Sequence, residues 1–395
     1  MTSREKSILI AVSACHALIH AYMLVFPTIY ESVGTSLNLK FSGVGLVGMA
    51  SYMAFGFGSL PAGFLSDKLG ARLLLVVCLA GMTLASILVF FMSSTAGVVV
   101  ALVLLGLFGS MYHPSGLSLI SNSIKETGKA LGIHGMAGTA GVAVAPVIAG
   151  LVTARYGWTY SYLVFGALGV IILGILLFGL GFHLKSENRQ EKVPRKSLRE
   201  SITRELVMIL MIGAIYGLIY RGIMTFFPTY LSQRVAFIGD DVGRLGLVSS
   251  GILVVSLVGP LVGGYLASSR KSIDRNLFVV FTLLAGLSIG FYFGQGILLI
   301  AVAALAVFLI FGFQPLQNTL LARVSHSTRR GAVFGINYTV GFGIGAFASG
   351  LGGVVGEAYG LRSIFLLMFG LCIVEMILIA AARRMRGGSE EDGVS

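Results

Sequence analysis

LVMILMIGAIYGLIYRGIMTFFPTY, residues 206–230, carries one charge, Arg221, in an otherwise apolar and aromatic run. Such a run exceeds the roughly 20 residues a helix needs to cross a hydrocarbon core of about 30 Å. Bilayer interiors offer the backbone no hydrogen-bond partners, so spans must be helices or closed barrels. The apolar residues here are continuous rather than alternating at period two, which selects the helix. The run closes on Phe227-Pro228-Thr229, and the same tripeptide stands 201 residues earlier at Phe26-Pro27-Thr28.

Outward from this stretch the chain keeps the same character. Of 395 residues 56% are hydrophobic and 11% charged, with a mean hydropathy of +0.92, whereas a soluble domain carries about a quarter charged residues. So few charges could not cover a globular surface. The apolar runs predict an all-α membrane protein with twelve spans, at about 7–30, 42–64, 73–92, 97–120, 131–154, 159–183, 206–230, 244–267, 276–293, 296–321, 331–356 and 363–382. The basic stretch from Met1 to Lys6 is followed by no small-residue cleavage site, so the first run reads as a span rather than a signal peptide.

Only Leu184 to Glu205 is long, polar and charged. It predicts a six-helix half over 1–183, a basic linker over 184–205, and a second half over 206–395 with a short tail. Of the 28 Lys and Arg, 22 fall on the side of the termini and the linker and five on the other. The positive-inside rule then places both termini and the linker in the cytoplasm, and the expected location is the cytoplasmic (inner) membrane. The net charge of +12 is accounted for by topology and by contact with the lipid bilayer, not by nucleic acid. Cys15, Cys78 and Cys372 lie inside apolar runs without paired spacing and read as small core residues.

The echo of the tripeptide extends along the chain. Pro61 recurs as Pro260, Pro114 as Pro315, Leu131-Gly132-Ile133 as Phe334-Gly335-Ile336, and Tyr156-Gly157 as Tyr359-Gly360, all in order at offsets of 199–203. Two like-oriented halves imply a pseudo-two-fold axis along the membrane normal, with a site at their interface. The 54 glycines fit close helix packing in a membrane.

Between the second and third spans, Gly63, Asp67, Lys68, Gly70 and Arg72 fall in a pattern that resembles the signature loop of the major facilitator superfamily. The resemblance implies a gating role for these residues. The matching loop, Gly264-Tyr265-Leu266-Ala267-Ser268, has serine in place of the acid, so the latch is expected to be one-sided. In the fifth span Gly132, Gly141, Ala145, Pro146, Ala149 and Gly150 resemble that superfamily's antiporter motif, with alanine at two of its glycine positions. The alternative is a small-residue packing face. His16, Phe26-Pro27 and Gly109-Ser110-Met111-Tyr112-His113-Pro114 are similar to the fosmidomycin-resistance-like branch of bacterial exporters. Here His20 stands where that branch tends to carry an Asp, and Ser115 where it tends to carry a Glu.

Polar side chains at membrane depth are costly and commonly functional. Those expected to bind a solute are His16, His20, Tyr112, His113, Tyr220, Arg221, Gln314, Gln317 and Asn318. Candidates for carrying protons are His20, His113, His134 and Glu375. The repeat pairs His20 with Arg221, and His134 with Asn337; in the superfamily the first and seventh helices would bring the former pair face to face across the cavity. A carbonyl freed by Pro114 is a possible partner for His113, and backbone carbonyls for His16 and His134. One permanent cation, several histidines and almost no acid predict a pocket for an anionic or amphiphilic solute.

The expected function is therefore proton-coupled efflux of such a compound by alternating access, by a monomer without cofactors. The alternatives are a proton-coupled importer of an organic anion such as a carboxylate and, more remotely, an integral-membrane enzyme. His16 and His20 have the spacing of two helix-borne metal ligands, but along the sequence no third ligand is evident, so no metal site is assigned.

Overall fold

The computed structural model describes residues 1–179, 203–267, 273–325 and 330–391. Most of the expected linker at 184–205, Ser268 and the Asp67 side chain lie outside the described residues. The first half contains α1 (Ser3–Thr28), α2 (Tyr30–Leu37), α3 (Phe41–Leu69), α4 (Ala71–Phe91), α5 (Thr95–Gly109), α6 (Tyr112–Ser123), α7 (Thr127–Tyr156) and α8 (Trp158–Gly174), the last running into a π-turn over Ile175–Gly179. The second contains α9 (Arg204–Arg234), α10 (Val242–Val255), α11 (Gly259–Ala267), α12 (Ile273–Phe293), α13 (Gly296–Val324), α14 (Arg330–Gly345), α15 (Phe347–Tyr359) and α16 (Arg362–Glu391). Among the described residues, twelve helical segments are long and apolar enough to span a membrane, as the sequence predicts.

Three spans are interrupted, and the local sequence explains two of the breaks. Pro114 has no N–H to donate and its ring crowds the carbonyl four residues back, so α5 stops at Gly109 and α6 begins at Tyr112. The Ser115 hydroxyl closes the turn by donating to the Met111 carbonyl at 2.5 Å. Pro260 interrupts the eighth span in the same way, between α10 and α11, with the Ser256 hydroxyl on the Leu253 carbonyl at 2.5 Å. The symmetry-related glycines Gly157 and Gly360 take φ of 98° and 82°, a backbone state that side-chain-bearing residues resist. Each turns the chain sharply between consecutive spans. The last helix runs past the expected end at 382: Arg383-Arg384-Met385-Arg386 are good helix formers and extend it, and it ends at Glu391.

The two halves meet at the end remote from the termini. A Cβ on Gly45 would lie 2.5 Å from the Ser349 carbonyl, and one on Gly246 would lie 2.3 Å from that of Pro146. The Ser42 amide donates to Glu357 at 2.9 Å, the Gln233 amide reaches Glu31 at 3.4 Å, and Phe41 packs on Phe226. Further along the same faces the helices part. Gly63 lies two turns beyond Gly56, whose Cβ would meet Gly343, and Gly132 lies five turns before Gly150, which faces Gly246. Among the described residues, nothing beyond the adjoining chain lies within 4 Å of where the Cβ of Gly63 or Gly132 would be. Among the described residues the halves are thus in close contact at the end remote from the N-terminus, and these small-residue contacts do not continue to the other end.

Candidate functional site

Four of the six histidines converge in the first half. His16 and His20 are one turn apart on α1, His113 opens α6, and His134 lies on α7. The His16 ring stacks on His134 at 4.0 Å between centroids and lies 4.6 Å from His20 and 5.6 Å from His113. The helix break at Ser110-Met111 sets His113 into this cluster. His16 Nδ1 contacts the His134 backbone carbonyl at 2.7 Å. Since a carbonyl can only accept, Nδ1 carries the proton and Nε2 keeps its lone pair. The Nε2 atoms of His16, His113 and His134 are buried without a hydrogen-bond partner. One nitrogen from each of His16, His20 and His113 lies within 4.8 Å of the others.

His113 supplies the third imidazole that spacing along one helix does not reveal. It does not take the carbonyl freed by Pro114; its ring stacks on Tyr338 of α14 at 5.0 Å, across the interface between the halves. Tyr112, expected to contact solute, instead packs inside: its hydroxyl donates to the Val12 carbonyl at 2.7 Å and the residue is fully buried.

Arg221 is 3% exposed in the middle of α9. Its guanidinium carbon sits 3.5 Å from the centre of the Tyr52 ring on α3, in the opposite half, and 5.7 Å from that of Tyr220. Tyr52 is itself fixed by a 3.1 Å bond from its hydroxyl to the Met23 carbonyl. Among the described residues no carboxylate pairs with Arg221. Aromatic faces attract the cation but cannot neutralise it. Arg221 and His20 lie within electrostatic reach of one another.

The remaining polar residues divide. Phe311, Gln314 and Asn318 share a face of α13 by their i, i+3, i+7 spacing, and Phe311 reaches the Tyr220 ring at 6.0 Å. Gln314 is exposed and Asn318 partly so. Gln317 points elsewhere: it donates to Asn337 at 3.1 Å and to the Ile209 carbonyl at 3.5 Å, tying α13, α14 and α9 together inside the second half. His134 and Asn337, equivalent in the repeat, each turn into their own half. Glu375 is fully buried on α16, which packs mainly on α12 and α9, and neither of its oxygens has a partner.

The fifth-span motif forms two packing surfaces. A Cβ on Gly141 would lie 1.9 Å from the Ala17 carbonyl of α1, within the half. Pro146 and Gly150 face Gly246 across the halves, where the Val147 amide donates to Ser250 at 2.8 Å. In the signature loop Gly70 takes φ 91° at the junction of α3 and α4, Lys68 is exposed, and Arg72 is half-buried. Tyr52 and Tyr338 had no signal in the sequence, since an aromatic residue within an apolar run looks the same whether it packs or binds.

A model of the Major Facilitator Superfamily matches residues 10–349. A probable sulfoacetate transporter, SauU, of Cupriavidus necator is 24% identical over 286 residues, covering 66% of this chain and 64% of that relative, so the match spans less than two thirds of its length. Among solved structures, a bacterial homologue of the human lysosomal transporter Spinster, inward-facing and occupied, superposes over 97% of this chain and 98% of its own at TM-score 0.79 and 12% identity. A mutant of the nucleoside transporter NupG superposes over 95% and 99% at 0.76 and 13%. At such identities the likeness is one of fold.

Proposed function

The chain belongs to the major facilitator superfamily, and we propose that it carries a small organic anion across the cytoplasmic membrane by alternating access, with Arg221 as the anion's principal contact. It is a multi-pass membrane transporter rather than an enzyme. One observation carries the anion reading: a permanent cation buried at the meeting of the halves, with an aromatic face and, among the described residues, no carboxylate beside it. A charge held in this way costs several kcal/mol unless something compensates it, and a carboxylate or sulfonate arriving from solution would do so through charge-assisted hydrogen bonds. The SauU relative, named for sulfoacetate, supports a small anion. Gln314 and Asn318 add neutral donors on the α13 face, and His20 adds one from the first half.

Export in exchange for protons is the direction we assign, on the strength of the fifth-span motif and the resemblance to the fosmidomycin-resistance-like branch. His20 and His113 carry the protons in this scheme, since an imidazole can take up and release one. In this scheme the 63–72 loop latches the terminal end when the halves close there. Both termini face the cytoplasm, the two halves divide at a basic linker, and a single chain suffices.

A panel of small carboxylates and sulfonates tested by thermal shift on purified protein checks the site. Those that stabilise the wild type should lose at least about 30-fold in affinity in Arg221→Leu, the roughly 2 kcal/mol minimum for removing one partner of a buried charge pair. Equal stabilisation of both proteins removes Arg221 from the site. Uptake into inside-out against right-side-out vesicles under an imposed pH gradient decides direction. Preferential uptake by right-side-out vesicles with the inside alkaline would instead support proton-coupled import of an organic anion.

A further inference from the structure

We propose that His16, His20 and His113 form a binding site for a divalent first-row transition-metal ion beside the anion site. The donor set is three imidazoles with no carboxylate or thiolate, which suits zinc, copper, nickel or cobalt and not magnesium or calcium. Two come from one helical turn of α1 and the third from α6, so the site is built by tertiary packing. One nitrogen of each lies within 4.8 Å of the others. Rotation about side-chain bonds would draw them to the Zn–N distance of about 2.0–2.1 Å.

Two further features mark this cluster as a ligand set. The bond from His16 Nδ1 to the His134 carbonyl is the outer-sphere contact that fixes the tautomer of metal-bound histidines. It leaves Nε2 bare. His16 and His113 are 7% and 6% exposed, yet their Nε2 atoms have no hydrogen-bond partner. Buried polar atoms without partners are uncommon and need a physical explanation, a bound ion being one. Three protein ligands also leave a position open at the metal.

The open position connects the ion to Arg221. Two cationic centres side by side repel, and an anion bound to the metal and facing the guanidinium removes that repulsion. In this respect the inference rests on the anion reading: the solute arrives as a metal complex, its acid group shared between the ion and Arg221. The charged or titratable groups facing the triad are His134 from α7, Tyr112 from α6, Arg221 from α9 and Tyr338 from α14.

The test uses full-length protein with any affinity tag removed. Zinc binding is followed by calorimetry and metal content, and Co²⁺ by its visible absorption. The expected results are one zinc per chain and a Co²⁺ spectrum of nitrogen coordination. His16→Asn and His113→Asn should each weaken zinc by more than the roughly 10–100-fold that loss of an outer-sphere partner costs. The Co²⁺ spectrum of the unaltered protein decides the matter even if a variant misfolds. Arg221→Leu should still bind zinc stoichiometrically while losing the organic anion, so the two readings fail separately. Zinc well below one per chain, a Co²⁺ spectrum of oxygen ligands only, or unchanged affinity in folded His16→Asn/His113→Asn protein overturns the site.

Discussion

Arg221 and Tyr52 show how one residue can be conspicuous in sequence and its partner invisible. An arginine in the middle of a 25-residue apolar run stands out because the membrane penalises charge. Tyr52, one aromatic residue among many, does not stand out, yet its ring lies 3.5 Å from the guanidinium carbon. Replacing Tyr52 by Leu removes the aromatic face, worth about 0.5–2 kcal/mol, and should weaken anion binding by up to about 30-fold. Tyr52→Phe keeps the ring and should bind anions nearly as the wild type does. It should lose about 1 kcal/mol of stability with the hydroxyl bond to Met23. Titration calorimetry with the best ligand and thermal unfolding separate the two effects. The histidines were legible as individual intramembrane polar residues, but their convergence was not. It depends on the break at Ser110-Met111 and on the packing of α1 against α6 and α7.

At the scale of the helix, identical chemistry has different consequences according to what it touches. Gly141 and Gly246 each admit a backbone carbonyl where a side chain would stand, but Gly141 meets α1 of its own half and Gly246 meets α7 of the other. Gly141→Val should therefore destabilise the fold itself, lowering the unfolding temperature and the yield. Gly246→Val should leave each half intact and penalise only the closed end. Overpacking of about 1–3 kcal/mol shifts a two-state population by roughly 5–150-fold. Spin-label distances between α2 and α10 should accordingly show a longer, opened population. If Gly246→Val instead unfolds the protein while leaving the distances unchanged, the contact is not a gate. The repeat made much of this layer readable in advance, down to Gly157 and Gly360, which share their turn geometry. Helix α2 was not anticipated, because its polar residues resemble a loop in hydropathy. Nor was the assignment of the fifth-span glycines to two different partners, since one-dimensional spacing does not say which helix lies opposite.

For the molecule as a whole, the closed end links the halves through groups that respond to the solution they face. Desolvation where the halves meet raises the Glu31 carboxyl above its usual range; the Gln233 amide opposes this and Asp240 adds to it. A raised value means that the closed form holds the proton more tightly than an opened form with Glu31 in water. Protonation therefore favours closure, and this contribution is lost as pH rises through the raised value. Distances across the α2–α9 contact should shorten as pH falls from neutral to mildly acidic, and Glu31→Gln should remove that dependence. The twelve-span, two-half architecture was fully legible because hydropathy and repetition are properties of the chain itself. The open or closed state of each end was not, because a sequence that alternates between two states must encode both. The most direct measurement is counterflow of small organic anions in proteoliposomes containing wild-type protein or folded Arg221→Leu. Saturable exchange by the wild type that falls to the level of empty liposomes in the variant is the predicted result. An anion carried by both at the same rate would contradict a transport site built on the buried guanidinium.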